Sequence, residues 1–298
     1  MRTPPHYMPA LITPFDEEGA IIVEAHRHNL RVQVSRGVTG FVLGGSTGEG
    51  PYLETGERGL LLRETRDELG DEVFLVCGVA AQSVRQANAQ VNEIAQGGAD
   101  AALVMTPTSL ARGNHDAIKR FFEAVAEAAP LPIFLYSVPG VTGYDLPVDI
   151  AAALAEHPSV VAMKDSGGRP LHTKELVQST PDDFMVFCGS SAALLASMAA
   201  GADGAITASG NYVPEVLTEL VVTAGISVST SEPLQTRLAE ATRDIEAFGV
   251  VGTKTAAAAA GLWTGIPRKP LHPIARTELA RIAQVVARVR ESEQAPVG

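Results

Sequence analysis

Two apolar runs in this 298-residue chain each end in a side chain that can move a proton or form a bond. Ile133-Phe134-Leu135 leads into Tyr136, and Val160-Val161-Ala162-Met163 leads into Lys164. Solubility would not place a lysine after four consecutive apolar residues. Burial disfavours an ammonium and eases the loss of its proton. A neutral amine attacks a ketone to form a Schiff base, which a fully solvated ammonium does poorly. The chain has five lysines, and the other four (Lys119, Lys174, Lys254, Lys269) fall in segments that read as helical or polar. The competing reading of Lys164 is a strand-end lysine that snorkels to solvent. Tyr136 can shuttle the protons that imine chemistry moves between nitrogen, oxygen and carbon. Its competing reading is a core tyrosine bonded to a loop.

The elements that must hold these side chains are short apolar runs separated by helix-like segments. The runs are Ala10–Ile12, Phe41–Leu43, Val73–Val76, Ala101–Met105, Ile133–Leu135, Val160–Met163, Phe184–Phe187 and Ala205-Ile206. They lack polar alternation, as strands buried on both faces should. Ser83 is placed to cap a helix carrying Val84, Ala87, Val91 and Ile94 on one face, stopped by Gly97-Gly98. Asn114 is placed to cap another before Pro130, and Pro147 opens a short one before His157-Pro158. Eight such alternations predict an α/β fold, the closed (β/α)8 or TIM barrel. Pro9 and Pro14 flank the weakest run, and a doubly wound open sheet is the alternative. The early strand–helix turns lack its G-x-G-x-x-G fingerprint. The barrel is expected over residues 1–225. A C-terminal helical extension packed on it is expected over 226–298, with 225–231 as a loop, helices near 232–248, 256–262 and 277–289, and a frayed tail from 292.

In such a barrel, chemistry sits at the C-terminal ends of the strands. That rim carries Gly45-Ser46-Thr47-Gly48-Glu49, Tyr136-Ser137, Lys164-Asp165-Ser166-Gly167-Gly168 and Gly189-Ser190-Ser191. The Ser46-Thr47 turn offers successive N–H groups and two hydroxyls to a carboxylate or carbonyl oxygen. Taken alone it reads first as a tight turn with a helix cap, and Glu49 reads as a first-turn helix residue. The Gly-Lys-Ser/Thr ending of a phosphate-binding loop is missing. The seven histidines show no ligand spacing, so no metal is expected.

A formal net charge of −11 argues against nucleic-acid binding, which needs clustered Lys and Arg. The two cysteines, Cys77 and Cys188, lie in apolar runs and read as buried thiols of a reducing compartment. No apolar run approaches the roughly 18 residues of a membrane span. Residues 1–5 show no secretory signal, so a cytoplasmic location is expected.

Four segments resemble one family in order and spacing along essentially the whole chain. Gly-Ser-Thr-Gly-Glu at 45–49, Leu-Tyr-Ser-Val-Pro-Gly-Val-Thr-Gly at 135–143, Met-Lys-Asp-Ser-Gly-Gly at 163–168 and Ala-Gly-Ala-Asp-Gly at 200–204 are similar to the dihydrodipicolinate synthase / N-acetylneuraminate lyase family. The resemblance implies a class I, metal-independent carbon–carbon lyase that joins a 2-oxo acid such as pyruvate to an aldehyde, or separates the two. It implies Lys164 as Schiff-base lysine, Tyr136 as proton shuttle, and Ser46 and Thr47 as carboxylate-binding and relay groups. Ser166, Gly189, Ser190 and residue 141 would line the substrate pocket. No cofactor is implied, and a homotetramer is usual.

Within the family, the motifs look most like 4-hydroxy-2-oxoglutarate aldolase. Dihydrodipicolinate synthases usually carry an arginine before the Thr-Gly at 142 and 143, where this chain has Val141. N-Acetylneuraminate lyases carry acidic residues after the glycine at 189, where Ser190, Ser191 and Ala192 stand. Most members have tyrosines after the Thr-Pro of strand 4, and here Thr106-Pro107 precedes Thr108, Ser109 and Leu110. The expected substrate is a 4-hydroxy-2-oxoglutarate or 2-keto-3-deoxy-sugar acid. The alternatives are a dihydrodipicolinate synthase, a 2-keto-3-deoxy-acid dehydratase, and a weakened paralogue that binds a 2-oxo acid without turnover.

Overall fold

The computed structural model describes residues 2–224 and 228–291. Eight parallel strands follow one another around a barrel: β1 Tyr7–Pro9, β2 Gly40–Leu43, β3 Phe74–Val79, β4 Ala101–Met105, β5 Ile133–Ser137, β6 Val160–Asp165, β7 Met185–Cys188 and β8 Gly204–Thr207. β1 pairs with β8 over Tyr7↔Ala205 to Pro9↔Thr207. The remaining seam, between β1 and β2, is closed by an Ala10↔Val42 bridge and by Leu11 N–H donating to Val42 O at 2.9 Å. The architecture is therefore a (β/α)8 TIM barrel.

The first strand lies just before the stretch expected for it. Pro9 ends β1, where its missing N–H costs nothing, and residues 10–12 make the seam and the exit turn. The Ile12 N–H donates to the Asn211 side chain at 3.0 Å instead of to a strand. A proline at the strand end is compatible with a buried sheet, whereas one in mid-strand is not.

The helices are α1 Val23–Ser35, α2 Glu57–Leu69, α3 Val84–Gln96, α4 His115–Ala128, α5 Pro139–Thr142, α6 Val148–Ala155, α7 Pro170–Ser179, α8 Leu194–Ala199 and α9 Pro214–Ala224, then α10 Val228–Glu246, α11 Gly249–Ala259 and α12 Arg276–Glu291. Ser83 caps α3 by accepting from Gln86 N–H, and Asn114 caps α4 by accepting from Ala117 N–H. Residues 228–231, expected as loop, instead begin α10. The expected division at 225/226 and the tail from 292 fall outside the described residues. Among the described residues, no helix is long and apolar enough to cross a membrane.

Strand periodicity sorts side chains between bore and helix layer. Leu103, Met105, Phe134, Tyr136, Ala162 and Phe187 face the bore, while Val104, Leu135 and Met163 pack under the helices. Lys164, two residues beyond Ala162, therefore points into the bore, and Asp165 points outward.

Candidate active site

Tyr136 and Lys164 stand opposite each other in the β5–β6 register, at the C-terminal ends of both strands. Lys164 is only 4% exposed. Its Nζ donates to Tyr136 Oη over a long 3.4 Å and lies 4.5 Å from the centre of that ring. Tyr136 Oη is in turn 3.3 Å from Ser46 Oγ, which extends the line of polar atoms to the turn after β2. Phe134 and Phe187 stack at 5.8 Å beneath this group, and Phe187 is the register partner of Lys164. A small cavity bounded by Ser46, Gly78, Leu103, Met105 and Tyr136 lies at this end of the bore. Long contacts of this kind suit a site that tightens when substrate fills it.

The Ser46-Thr47 turn is held from several sides. Glu49 N–H donates to Ser46 O at 3.1 Å, Gly50 N–H to Gly45 O at 2.9 Å, and Thr13 Oγ1 to Gly48 O at 2.7 Å. Thr47 sits beside Ser46, but among the described residues it is Ser46 that reaches Tyr136. Glu49 is not in a helical first turn. It adopts the left-handed conformation (φ 56°) before a single 3-10 turn at Gly50–Tyr52, and its carboxylate is buried against the extension.

On the far side of Lys164, Ser166 N–H donates to Ser137 O at 2.9 Å, and Gly189 N–H donates to Asp165 O at 2.6 Å. A Cβ at Gly189 would lie 2.0 Å from Ser166 Oγ and 3.0 Å from Asp165 O and Ser166 Cα, a close approach of the two loops that glycine accommodates without displacement. Ser190 accepts from the Cys188 thiol through its carbonyl at 3.2 Å, and its hydroxyl lies near Gly168. Val141 stands apart on α5, with 55% of its surface exposed. The structure thus brings Lys164, Tyr136 and Ser46 together directly, with Ser166 and Gly189 beside them.

Two groups were not legible in the sequence. Outside the bore, Asp145, Asp165 and His172 bring ligand-type atoms within 4.8 Å of one another, and Arg169 pairs with Asp145. Burial raises the Asp165 carboxyl above the usual range, the Gly167 N–H opposes that, and Asp145 adds to it. The second group centres on Lys254, which the sequence placed among helical or polar segments and which is only 3% exposed. Its Nζ lies 2.5 Å from Glu49 Oε1 in an ion pair sealed from solvent. Burial lowers the Lys254 pKa and Glu49 opposes the shift. The alanine-rich run after Lys254 was the available signal of burial. Arg112 lies over Gly143, next to the helix that carries Val141.

A buried lysine and a phenol thus meet at adjacent strand ends of a TIM barrel. The chain matches the model of the dihydrodipicolinate synthetase family over residues 4–289, and it belongs to that family. Its coarse class is that of the class I, aldolase-like lyases. The 4-hydroxy-tetrahydrodipicolinate synthase of an Exiguobacterium species is 31% identical over 288 residues, covering 96% of this chain and 98% of the relative. A dihydrodipicolinate synthase from Bacillus anthracis superimposes with a TM-score of 0.90 at 28% identity, covering 99% and 100% of the two chains. The dihydrodipicolinate synthase of Acinetobacter baumannii, solved with pyruvate, gives 0.90 at 26% identity, covering 97% and 99%.

Proposed function

We propose that this protein cleaves, or in reverse forms, the C3–C4 bond of 4-hydroxy-2-oxo acids through an imine on Lys164. The carrying observation is the line Lys164 Nζ, Tyr136 Oη, Ser46 Oγ at the mouth of the bore, with contacts of 3.4 and 3.3 Å. No carboxylate pairs with Lys164 among the described residues, in contrast to Lys254. The amine adds to the C2 carbonyl, and loss of water gives the imine. Tyr136 moves the protons this requires. Removal of the 4-hydroxyl proton then releases the aldehyde, and the electron pair of the broken bond passes into the imine as an enamine. Protonation at C3 and hydrolysis free pyruvate and restore Lys164. The substrate's C1 carboxylate would sit on the N–H groups and hydroxyls of the Ser46-Thr47 turn. The enzyme is taken to act without a metal, as a cytoplasmic homotetramer of the kind usual in its family.

Borohydride added with pyruvate should trap one adduct per chain, on the peptide that contains Lys164, and EDTA should leave turnover unchanged. Full trapping in Lys164→Ala would refute the assignment.

A second reading, 4-hydroxy-tetrahydrodipicolinate synthase, is favoured by relatives that carry that name, such as the Exiguobacterium protein. That reaction must hold the distal carboxylate of an aldehyde substrate, and Val141 has no donor for it. A charge-assisted hydrogen bond is worth about 1.5–3 kcal/mol, or roughly 10–200-fold in affinity. Arg169 is committed to Asp145, while Arg112 makes no ion pair among the described residues and lies against Gly143. Side-by-side kcat/KM values for aspartate semialdehyde condensation and 4-hydroxy-2-oxo acid cleavage decide the branch. Cleavage is expected to win, and a clear preference for the semialdehyde would install the second reading with the imine intact. Better cleavage of neutral polyol chains than of 4-hydroxy-2-oxoglutarate would single out a 2-keto-3-deoxy-sugar acid.

A further inference from the structure

We propose that the buried Glu49–Lys254 pair is a positioning device through which the C-terminal extension sets the Ser46-Thr47 turn against Tyr136. The inference rests on the reading of Lys164, Tyr136 and Ser46 as the reacting group. Neither Glu49 nor Lys254 touches substrate in it.

Glu49 follows directly on the turn and is the one non-glycine residue with positive φ among the described residues. That conformation is unfavourable for a side-chain-bearing residue and persists only where the surroundings impose it. Here they do so at both ends of the carboxylate. Oε1 pairs with Lys254 Nζ on α11 at 2.5 Å, and Oε2 accepts the Arg268 N–H at 2.7 Å. Lys254 is fixed as well, since Nζ donates to Ile266 O at 2.9 Å and lies 4.8 Å over the Phe15 ring. Arg268 covers the same ring from 4.1 Å and is clamped to Glu57 and the Gly19 carbonyl.

A buried pair of this kind adds little net stability over an apolar pair of the same size, so stability alone does not account for it. What it does provide is direction. Glu49 N–H donates to Ser46 O at 3.1 Å, so a carboxylate drawn toward α11 also draws the turn that presents Ser46 Oγ 3.3 Å from Tyr136 Oη. From the other side, Thr13 Oγ1 holds Gly48 O at 2.7 Å. Thr13 and the Glu49–Lys254 pair thus tie the turn from two sides, beside the Arg58 guanidinium that donates to Gly50 O at 2.7 Å, and the Lys254 tie belongs to the extension.

The test is Lys254→Met, with Lys254→Arg as the conservative variant and Thr13→Val as an independent release of the opposite tie. Each is assayed per folded molecule, as measured by circular dichroism and thermal melting. A displacement of the turn near 1 Å is expected to lower kcat/KM by roughly 10²-fold. In Lys254→Met and Thr13→Val, KM for pyruvate should rise and kcat should fall. Borohydride trapping on Lys164 at saturating pyruvate should remain stoichiometric, and Lys254→Arg should recover part of the loss. Native kinetic constants in folded Lys254→Met would overturn the proposal. If that variant does not fold, native constants in Thr13→Val would overturn it. Losses that vanish once corrected for the folded fraction would also refute it. Trapping in the unaltered protein checks the imine separately, so failure there strikes the parent reading and not the pair.

Discussion

Lys164 and Lys254 are almost equally sealed from water, at 4% and 3% exposure, yet their surroundings assign them opposite roles. Lys254 meets a carboxylate at 2.5 Å, and removing that partner would leave an uncompensated buried charge costing roughly 3–5 kcal/mol. Lys164 instead meets the Tyr136 phenol and lies in register with Phe187, and in the proposed mechanism its nitrogen attacks a carbonyl. In that mechanism Tyr136 moves protons for it. Tyr136→Phe is therefore expected to fold normally, to retain the imine at Lys164 and to lose roughly 10²–10⁴-fold in turnover. Steady-state kinetics beside borohydride trapping check this, and native turnover would pass the role to another group.

The helices follow local rules closely enough that their starts can be read from single residues, as Ser83 and Asn114 show. α1 adds a consequence for pH. His26 and His28 lie two residues apart and diverge on the helix: His28 stacks on Trp263 at 4.1 Å, while His26 is buried and shares a 2.8 Å hydrogen bond with Thr65 on α2. Burial pushes the His26 imidazole down to about 4 from an ordinary value of 6.5. The unfolded chain thus takes up a proton that the fold refuses. Stability from this group is fully present above about pH 6.5 and is lost as pH falls from there toward 4. The loss is on the order of 3 kcal/mol. Melting temperatures of the native protein should fall across that window, and those of His26→Gln should fall less. Equal slopes for the two would remove His26 from the acid sensitivity.

At the scale of the whole molecule, the chain by itself determined the barrel, because eight buried strands and the helices between them each leave a local signature. Tyr136 and Lys164 could be placed at the ends of adjacent strands from the order of the runs, while their shared register, with Asp165 on the opposite face, came from the structure. Gly189 was legible as a glycine of the rim, while its reason, the Ser166 hydroxyl in the space a Cβ would occupy, was not. Tertiary structure decided what depends on meetings between distant single residues. It moved β1 back to Tyr7–Pro9, because the seam is closed by Val42 and Asn211 and not by residues near in sequence. It took Glu49 out of a helix and buried it against Lys254, a pairing with no period and no neighbouring motif to announce it. It also gathered Asp145, Asp165, His172 and Arg169 on the outer side of β6. Local propensity and periodicity act over a few residues and so are written in the chain. A buried charge finds its partner only through the packing of the complete barrel and its extension.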